Sequence, residues 1–268
     1  MTVYGEHVSS VARIVSELGR RPQFWADPDF GNKRSEVPEF PKDLVGLVWG
    51  YEDNLDFTPR TKNIIDAGLE TWVAPGANGW NSYTGRTRVR RENFGHAVEM
   101  RKLGAVGFLN TEWGDQGHRQ QWPITLLGLA EGAYASWTGK SPESADAAGL
   151  HLFGSAKLGA WLEKLGLADD SIHTGNCNST FRDTMLSFYN PEGPGNLKEW
   201  QKVRETFRAV EKTAPSGSSL LERECRHALD CAVWAADRAV LRRGKASTAE
   251  ERAALVRRLA GIIAEHKS

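Results

Sequence analysis

The sequence predicts an α/β chain with a parallel sheet, a partial TIM (β/α)8 barrel of half the strands or a small open sheet, followed by an α-helical C-terminal region. Three observations carry this. Short apolar runs recur every ~20–35 residues in the first half with helical patterns between them, the cadence of successive βα units and a parallel sheet. Only four such units are visible, whereas a closed barrel needs eight strands and about 250 residues. After Trp137 the strand pattern gives way to helices with clear start signals. The division expected is therefore 1–140 for the half-barrel and 141–268 for the helical region.

The chain opens on a helix, with Val8, Val11, Val15 and Leu18 at helical spacing and Gly19-Arg20-Arg21 as its stop. Gln23-Phe24-Trp25-Ala26 is a short apolar strand. Leu44-Val45-Gly46-Leu47-Val48-Trp49 is a longer one, and its unbroken apolarity suits burial on both faces. Thr58-Pro59 reads as the N-cap and first turn of a helix through Ile64 and Ile65 that stops at Gly68. Glu70-Thr71-Trp72-Val73-Ala74 is the third strand. A helix over 90–103, ended by Gly104, leads to the fourth, Ala105-Val106-Gly107-Phe108-Leu109. The last helix of this half starts at Trp122-Pro123 and runs to Trp137, with Ile124, Leu127, Ala130 and Tyr134 along one face.

Beyond it, Ser141-Pro142-Glu143 opens a helix bearing Leu150, Phe153, Leu158, Trp161 and Leu165. Capping boxes at Asn196-x-x-Glu199, Ser219-x-x-Glu222 and Thr248-x-x-Glu251 open three more. The stretch 166–195, rich in Gly, Asn and Pro, reads as an ordered loop between helices.

The bulk chemistry removes some function classes. Lys and Arg balance Asp and Glu at 34 each, so no long-range field argues for a nucleic-acid or anionic-membrane partner. No apolar run approaches a membrane span, and Met1-Thr2-Val3-Tyr4-Gly5-Glu6-His7 lacks the regions of a signal peptide. The 3 cysteines, Cys177, Cys225 and Cys231, have no C-x-x-C spacing and an odd count, which fits reduced thiols and a cytoplasmic chain. The opening helix has no strand before it, which raises the expectation that part of the barrel lies upstream of Met1.

In parallel-sheet and barrel enzymes the working residues sit just past the carboxyl ends of the strands. Those ends read Trp25-Ala26-Asp27, Trp49-Gly50-Tyr51-Glu52-Asp53, Pro75-Gly76-Ala77-Asn78-Gly79-Trp80 and Glu112-Trp113-Gly114-Asp115. Each supplies a tryptophan, and three also supply a carboxylate. Flat aromatic faces suit the C–H faces of sugars, and carboxylates accept hydrogen bonds from sugar hydroxyls. The competing reading makes the tryptophans core residues and the acids helix caps or ion-pair partners, Asp27 and Asp53 above all. The candidate substrate-binding set is Trp25, Asp27, Trp49, Tyr51, Trp80, Trp113 and Asp115.

The run Gly107-Phe108-Leu109-Asn110-Thr111-Glu112-Trp113-Gly114-Asp115-Gln116-Gly117-His118, with Trp122-Pro123 and Ala133-Tyr134-Ala135-Ser136-Trp137, resembles the eighth strand and following helix of glycoside hydrolase family 20. That family contains the β-N-acetylhexosaminidases. Phe24-Trp25-Ala26-Asp27, Val48-Trp49-Gly50-Tyr51-Glu52 and Pro75-Gly76-x-x-Gly79-Trp80-Asn81 resemble its fifth, sixth and seventh strand ends. The likeness covers about residues 1–140 closely and the helical tail loosely. It implies that Trp25, Trp49 and Trp113 wall the pocket for a terminal N-acetylglucosamine or N-acetylgalactosamine, and that Asp115 binds outer hydroxyls. It also implies a retaining, substrate-assisted mechanism, in which the 2-acetamido group is the nucleophile, an Asp orients it and an adjacent Glu is the acid.

The Asp-Glu pair that the family sets after its fourth strand has no counterpart here, and the inverted Glu52-Asp53 stands on a different strand end. The chain alone is therefore expected to bind sugar and not to hydrolyse it. For the tyrosine that holds the acetamido carbonyl, Tyr51 and Tyr83 are both open. A non-catalytic carbohydrate-binding remnant, or a truncated inactive fragment, is the alternative. No metal or organic cofactor is expected: Glu112, Asp115 and His118 lack a second His at helical spacing. His7, His96, His151 and His227 are expected at the surface or in caps, and Arg86, Arg88, Arg90 and Arg91 on a solvated face. The two edges of a half-barrel sheet are expected to promote self-association.

Overall fold

A computed structural model describes residues 3–27, 37, 39–186, 193–244 and 247–266. Among these described residues the chain is mixed α/β and 59% helical, with a four-strand parallel sheet. It forms two compact units: Met1–Gly76, Arg90–Thr111 and Gly132–Pro142 make the first, and Ala77–Val89, Glu112–Glu131 and Glu143–Ser268 the second. The loops following the third and fourth strands thus group with the helical tail.

The first unit holds helix α1 (Val3–Glu17) and strands β1 (Gln23–Trp25), β2 (Val45–Trp49), β3 (Glu70–Ala74) and β4 (Gly107–Phe108). The order is β1-β2-β3-β4, every pair is parallel, and Gln23 pairs with Val45, Val45 with Glu70 and Trp72 with Gly107. The order follows the chain without reversal, as it does when every crossover has the same hand. As its apolarity predicts, β2 is covered on both faces, with Val45 and Val48 wholly buried. β4 is only two residues long, shorter than expected. A Cβ on Gly107 would run into the Trp72 ring, and beyond Phe108 the pairing continues only as single bonds, Leu109 N to Val73 O at 2.8 Å and Thr111 N to Pro75 O at 3.0 Å.

Phe24, Val48, Phe57, Ile64, Val73 and Met100 belong to the core of this unit. The helix α2 (Thr58–Asp66) has Phe57 at its cap position with no side-chain cap, and the Asp56 carboxylate takes the Thr58 N–H at 2.8 Å. Thr58 is thus the first helical residue and not the cap, because the carboxylate two residues earlier reaches the same free amide. The stripe on α1 is also rotated from the expected one. Ala12 is buried, Val8 and Val15 are half-buried, and Val11 and Leu18 are exposed. Helix α3 (Thr87–Glu99) continues as a 3-10 turn, Met100–Leu103, to Gly104. In α4 (Trp122–Thr138), Tyr134 is exposed and Ala130 half-buried, and the buried positions run Ile124, Leu127, Glu131 and Ala135. Steps of three, four and four follow the 3.6-residue period more closely than the expected face did.

In the second unit, the helix expected over 141–165 is two, α5 (Asp146–Phe153) and α6 (Ala156–Gly166). Gly154 takes φ +67° and Ser155 caps α6, accepting from Leu158 N at 3.2 Å. The 166–195 stretch is not all loop: it contains α7 (Ser179–Met185), while 187–192 lie outside the described residues. The buried Asp169 carboxylate starts that helix by accepting from Thr180 N at 3.1 Å and from the Thr180 and Ser179 hydroxyls. Helices α8 (Leu197–Glu211), α9 (Leu220–Arg243) and α10 (Ala249–His266) each open at the expected box. Trp161, Trp200 and Phe207 share a core with the α9 alanines Ala228, Ala232, Ala236 and Ala239. Two basic residues expected in solvent are buried, Arg86 at 4% exposure and Arg90 at 1%, and Arg88 pairs with Asp170 at 2.6 Å. His227 is buried too, at 8%. Among the described residues no helix is long and apolar enough to cross a membrane.

Candidate functional site

On the first unit the pairing of Trp25 with Leu47 brings the carboxyl ends of β1 and β2 out side by side, and Ala26 N still bonds Leu47 O at 2.9 Å. One residue further, Asp27 Oδ1 accepts the indole N–H of Trp49 at 3.0 Å. The Trp49 and Tyr51 rings lie 5.4 Å apart, inclined by 30°. The structure thus brings three of the candidate residues, Asp27, Trp49 and Tyr51, into one group. Trp25 is half-buried on the neighbouring strand end.

A fourth member was not foreseen. Arg60, in the first turn of α2, places its guanidinium carbon 5.9 Å from the centre of the Trp49 ring. Only 5% of the residue is exposed, and its Nη1 is buried without a hydrogen-bond partner. Burial lowers its pKa, with Asp27 and Tyr51 opposing. Gly50 makes room beside it for Leu55, into which a Cβ would run, and that Cβ would lie 3.3 Å from Arg60 Nη2. Burial first and then the Asp27 charge raise the Tyr4 phenol. The group therefore combines an aromatic wall, an acceptor and a buried donor. Behind it, Asn93 on α3 ties two loops together, donating to Glu52 O at 3.0 Å and accepting from Gly76 N at 3.1 Å. Asp53 is 8% exposed and takes the Asn54 amide at 3.0 Å.

On the second unit, Trp80 is 2% exposed, whereas Trp113 is 38% exposed and Asp115 is open to solvent. Trp80 is thus shut off from solvent, while Trp113 is partly exposed to it. Glu112 organises the segment: Oε2 accepts from Gly79 N at 3.2 Å and Oε1 from Gln120 Nε2 at 2.7 Å. Asn81 Nδ2 reaches Asp115 Oδ2 at 3.5 Å. Four non-glycine residues here hold left-handed backbone: Asn78 (φ 54°), Asn81 (52°), Gln116 (55°) and His118 (51°). Such geometry costs about 1–2 kcal/mol per residue and gathers at functional sites. Buried acceptors without partners, Asn81 Oδ1 and Gln120 Oε1, accompany it. Tyr83 shares a hydrogen bond with Thr184 at 2.8 Å, and burial pushes its phenol up to about 12. It is committed to its own unit's interior, which leaves Tyr51 as the better placed of the two tyrosines. Among the described residues no group of three His, Cys, Asp or Glu is arranged to hold a metal ion.

Of the unforeseen members, Asn81 was legible as an asparagine in a Gly-rich strand-end loop, where left-handed backbone is common. Arg60 gave no signal, because a lone arginine in a first helical turn is ordinary. Compared with models of known protein families and with curated proteins, the sequence matches none.

Proposed function

We propose that this chain binds a terminal N-acetylhexosamine, as the sugar-holding part of a β-N-acetylhexosaminidase resembling glycoside hydrolase family 20. One observation carries the reading: at the ends of β1 and β2, the Trp49 ring is fixed by its N–H bond to Asp27 and flanked by Tyr51 and Arg60. An indole held in plane is a platform for the apolar face of a pyranose. Asp27 has lone pairs beyond the one Trp49 uses, so it can also accept from a hydroxyl. The unpartnered Arg60 Nη1 offers a donor to a ring or acetamido oxygen.

The sheet supports the proposal as an arc of a barrel, since doubly wound open sheets reverse their strand order at a switch point and this one does not. The chemistry of the resemblance is substrate-assisted and retaining. It requires an adjacent Asp-Glu pair that the sequence lacks, and Asp53 of the inverted Glu52-Asp53 is occupied by its own loop. Binding is therefore the role assigned to this chain.

The test is calorimetric titration with N-acetylglucosamine, N-acetylgalactosamine and glucose. Measurable affinity for an N-acetylhexosamine over glucose is expected, reduced about tenfold or more by Trp49→Ala and by Asp27→Asn, a loss of roughly 1.4 kcal/mol or more. Arg60→Met should weaken binding, since it removes both the unpartnered Nη1 donor and the charge over the Trp49 ring. Equal affinity for glucose, or none for any sugar, overturns the proposal. Sustained hydrolysis of an aryl β-N-acetylglucosaminide would overturn the restriction to binding.

A further inference from the structure

The second unit carries a separate polar cavity between α9 and α10, of about 200 Å³, lined by Gln121, Arg223, Glu224, His227, Glu265 and His266. Arg223 and His227 stand one helical turn apart on α9 and so face the same way. His227 is 8% exposed, and its Nδ1 is buried with no partner. Arg223 Nε is likewise buried and unpartnered. Buried polar atoms are ordinarily paired, so two unpaired ones on a single cavity mark a place where something else supplies the partner.

The chemistry of the missing partner can be read from the donors. Cys231 Sγ lies 3.6 Å from His227 Nε2, within reach of an S–H donated to that nitrogen, and the contact is taken in this sense. With Nε2 accepting, the ring proton sits on Nδ1, and both unpartnered atoms are N–H donors. Two donors from one helix face on one cavity match the two oxygens of a carboxylate. The lining also carries negative charge: Glu224, whose pKa burial raises, and Glu265 border the same space. The Leu220 side chain adds an apolar wall.

We propose that this cavity binds a small zwitterion, a molecule carrying a carboxylate beside an ammonium group, with the carboxylate on Arg223 and His227 and the ammonium toward Glu224. A simple anion would meet the two glutamates and a simple cation would meet the guanidinium, so neither half alone complements the site. The volume suits a molecule the size of a free amino acid and not an oligosaccharide. The inference stands independently of the sugar-binding reading.

The test titrates the full chain with glycine, L-alanine and L-leucine, and with acetate and methylammonium as single-charge halves, by calorimetry and by the ring 15N resonances of His227. At least one amino acid is expected to bind tenfold or more tightly than either half and to shift the His227 resonances. Arg223→Gln and Glu224→Gln should each weaken it by tenfold or more with an unchanged circular dichroism spectrum. Absence of binding by all three amino acids overturns the proposal, as does acetate or methylammonium binding equally well, or unchanged affinity in both variants. Should either variant fail to fold, the wild-type His227 resonances decide alone: shifted by an amino acid and not by acetate, they uphold the site, and unshifted they overturn it.

Discussion

His227 shows what one buried titratable residue does to the whole chain. Its ring stacks on His266 at 5.1 Å with 25° between planes, and burial first, then the neighbouring imidazole, lower its pKa from 6.5, against Glu265 and Asp230. The folded chain thus prefers neutral His227, while the unfolded chain takes up a proton near pH 6.5. Between the depressed folded pKa and 6.5 the unfolded state binds more protons, so stability is complete above that window and falls as pH drops through it. Urea unfolding followed from about pH 7.5 down to about pH 5 should show this decline, and His227→Gln should remove most of it. A variant with the same slope as wild type would assign the pH dependence elsewhere. Sequence alone placed this histidine at the surface, because neighbours that bury it come from a helix more than twenty residues away. Arg60 was opaque because a lone arginine in a first helical turn is ordinary, and its place over Trp49 is visible only in the fold. Trp49 and Asp27 were legible because their position at strand ends is a local property, whereas the bond between them is a consequence of parallel register.

At the scale of elements, the readable signals were those written within four residues. The capping boxes at Asn196, Ser219 and Thr248 are reciprocal bonds between a cap and the third helical residue, and each forms. The break between α5 and α6 was missed because apolar spacing runs across it. What decides it is a close helix contact visible only in three dimensions: a Cβ on Gly149 would lie 2.5 Å from Gly159 Cα, and one on Gly159 would strike the Ala145 carbonyl. Both obstacles are backbone, which cannot swing aside as a long side chain would. Gly159→Ala should therefore destabilise the helical unit by about 1–3 kcal/mol despite alanine's better helix propensity, an overpacking cost that outweighs the roughly 1 kcal/mol of propensity gained. Gly261→Ala is the matched control, with nothing within 4 Å of its added methyl. It should be neutral or stabilising in thermal and urea unfolding. Equal effects of the two substitutions would mean that α5 and α6 are not packed this closely. The α4 face follows the same logic, since the drift from Tyr134 to Ala135 as the buried position is a rotation that a four-residue template does not resolve.

For the whole molecule, a four-strand sheet whose order never reverses leaves β1 and β4 as edges. Beside β4 the first unit carries a cleft of about 250 Å³ bordered by Val106, Phe108, Ala135 and Trp137. Trp137 is 92% exposed and Val106 69% exposed. Apolar side chains this bare beside an edge strand are a standing liability for association, because burying them removes apolar area from water at about 25 cal/mol per Å² while the edge supplies backbone partners. The chain is expected to self-associate, its apparent mass by light scattering rising with concentration across the micromolar range. Val106→Lys combined with Trp137→Lys should hold the mass at that of one chain without changing the unfolding midpoint by more than about 0.5 kcal/mol, since neither side chain contributes to a buried core. Salt separates this from a charge-driven association. Apolar contact persists or strengthens in sulfate, whereas contact through the balanced surface charges weakens as screening increases. A wild-type mass that stays constant with concentration, or a double variant that associates as before, would place the exposed Trp137 outside any contact between copies.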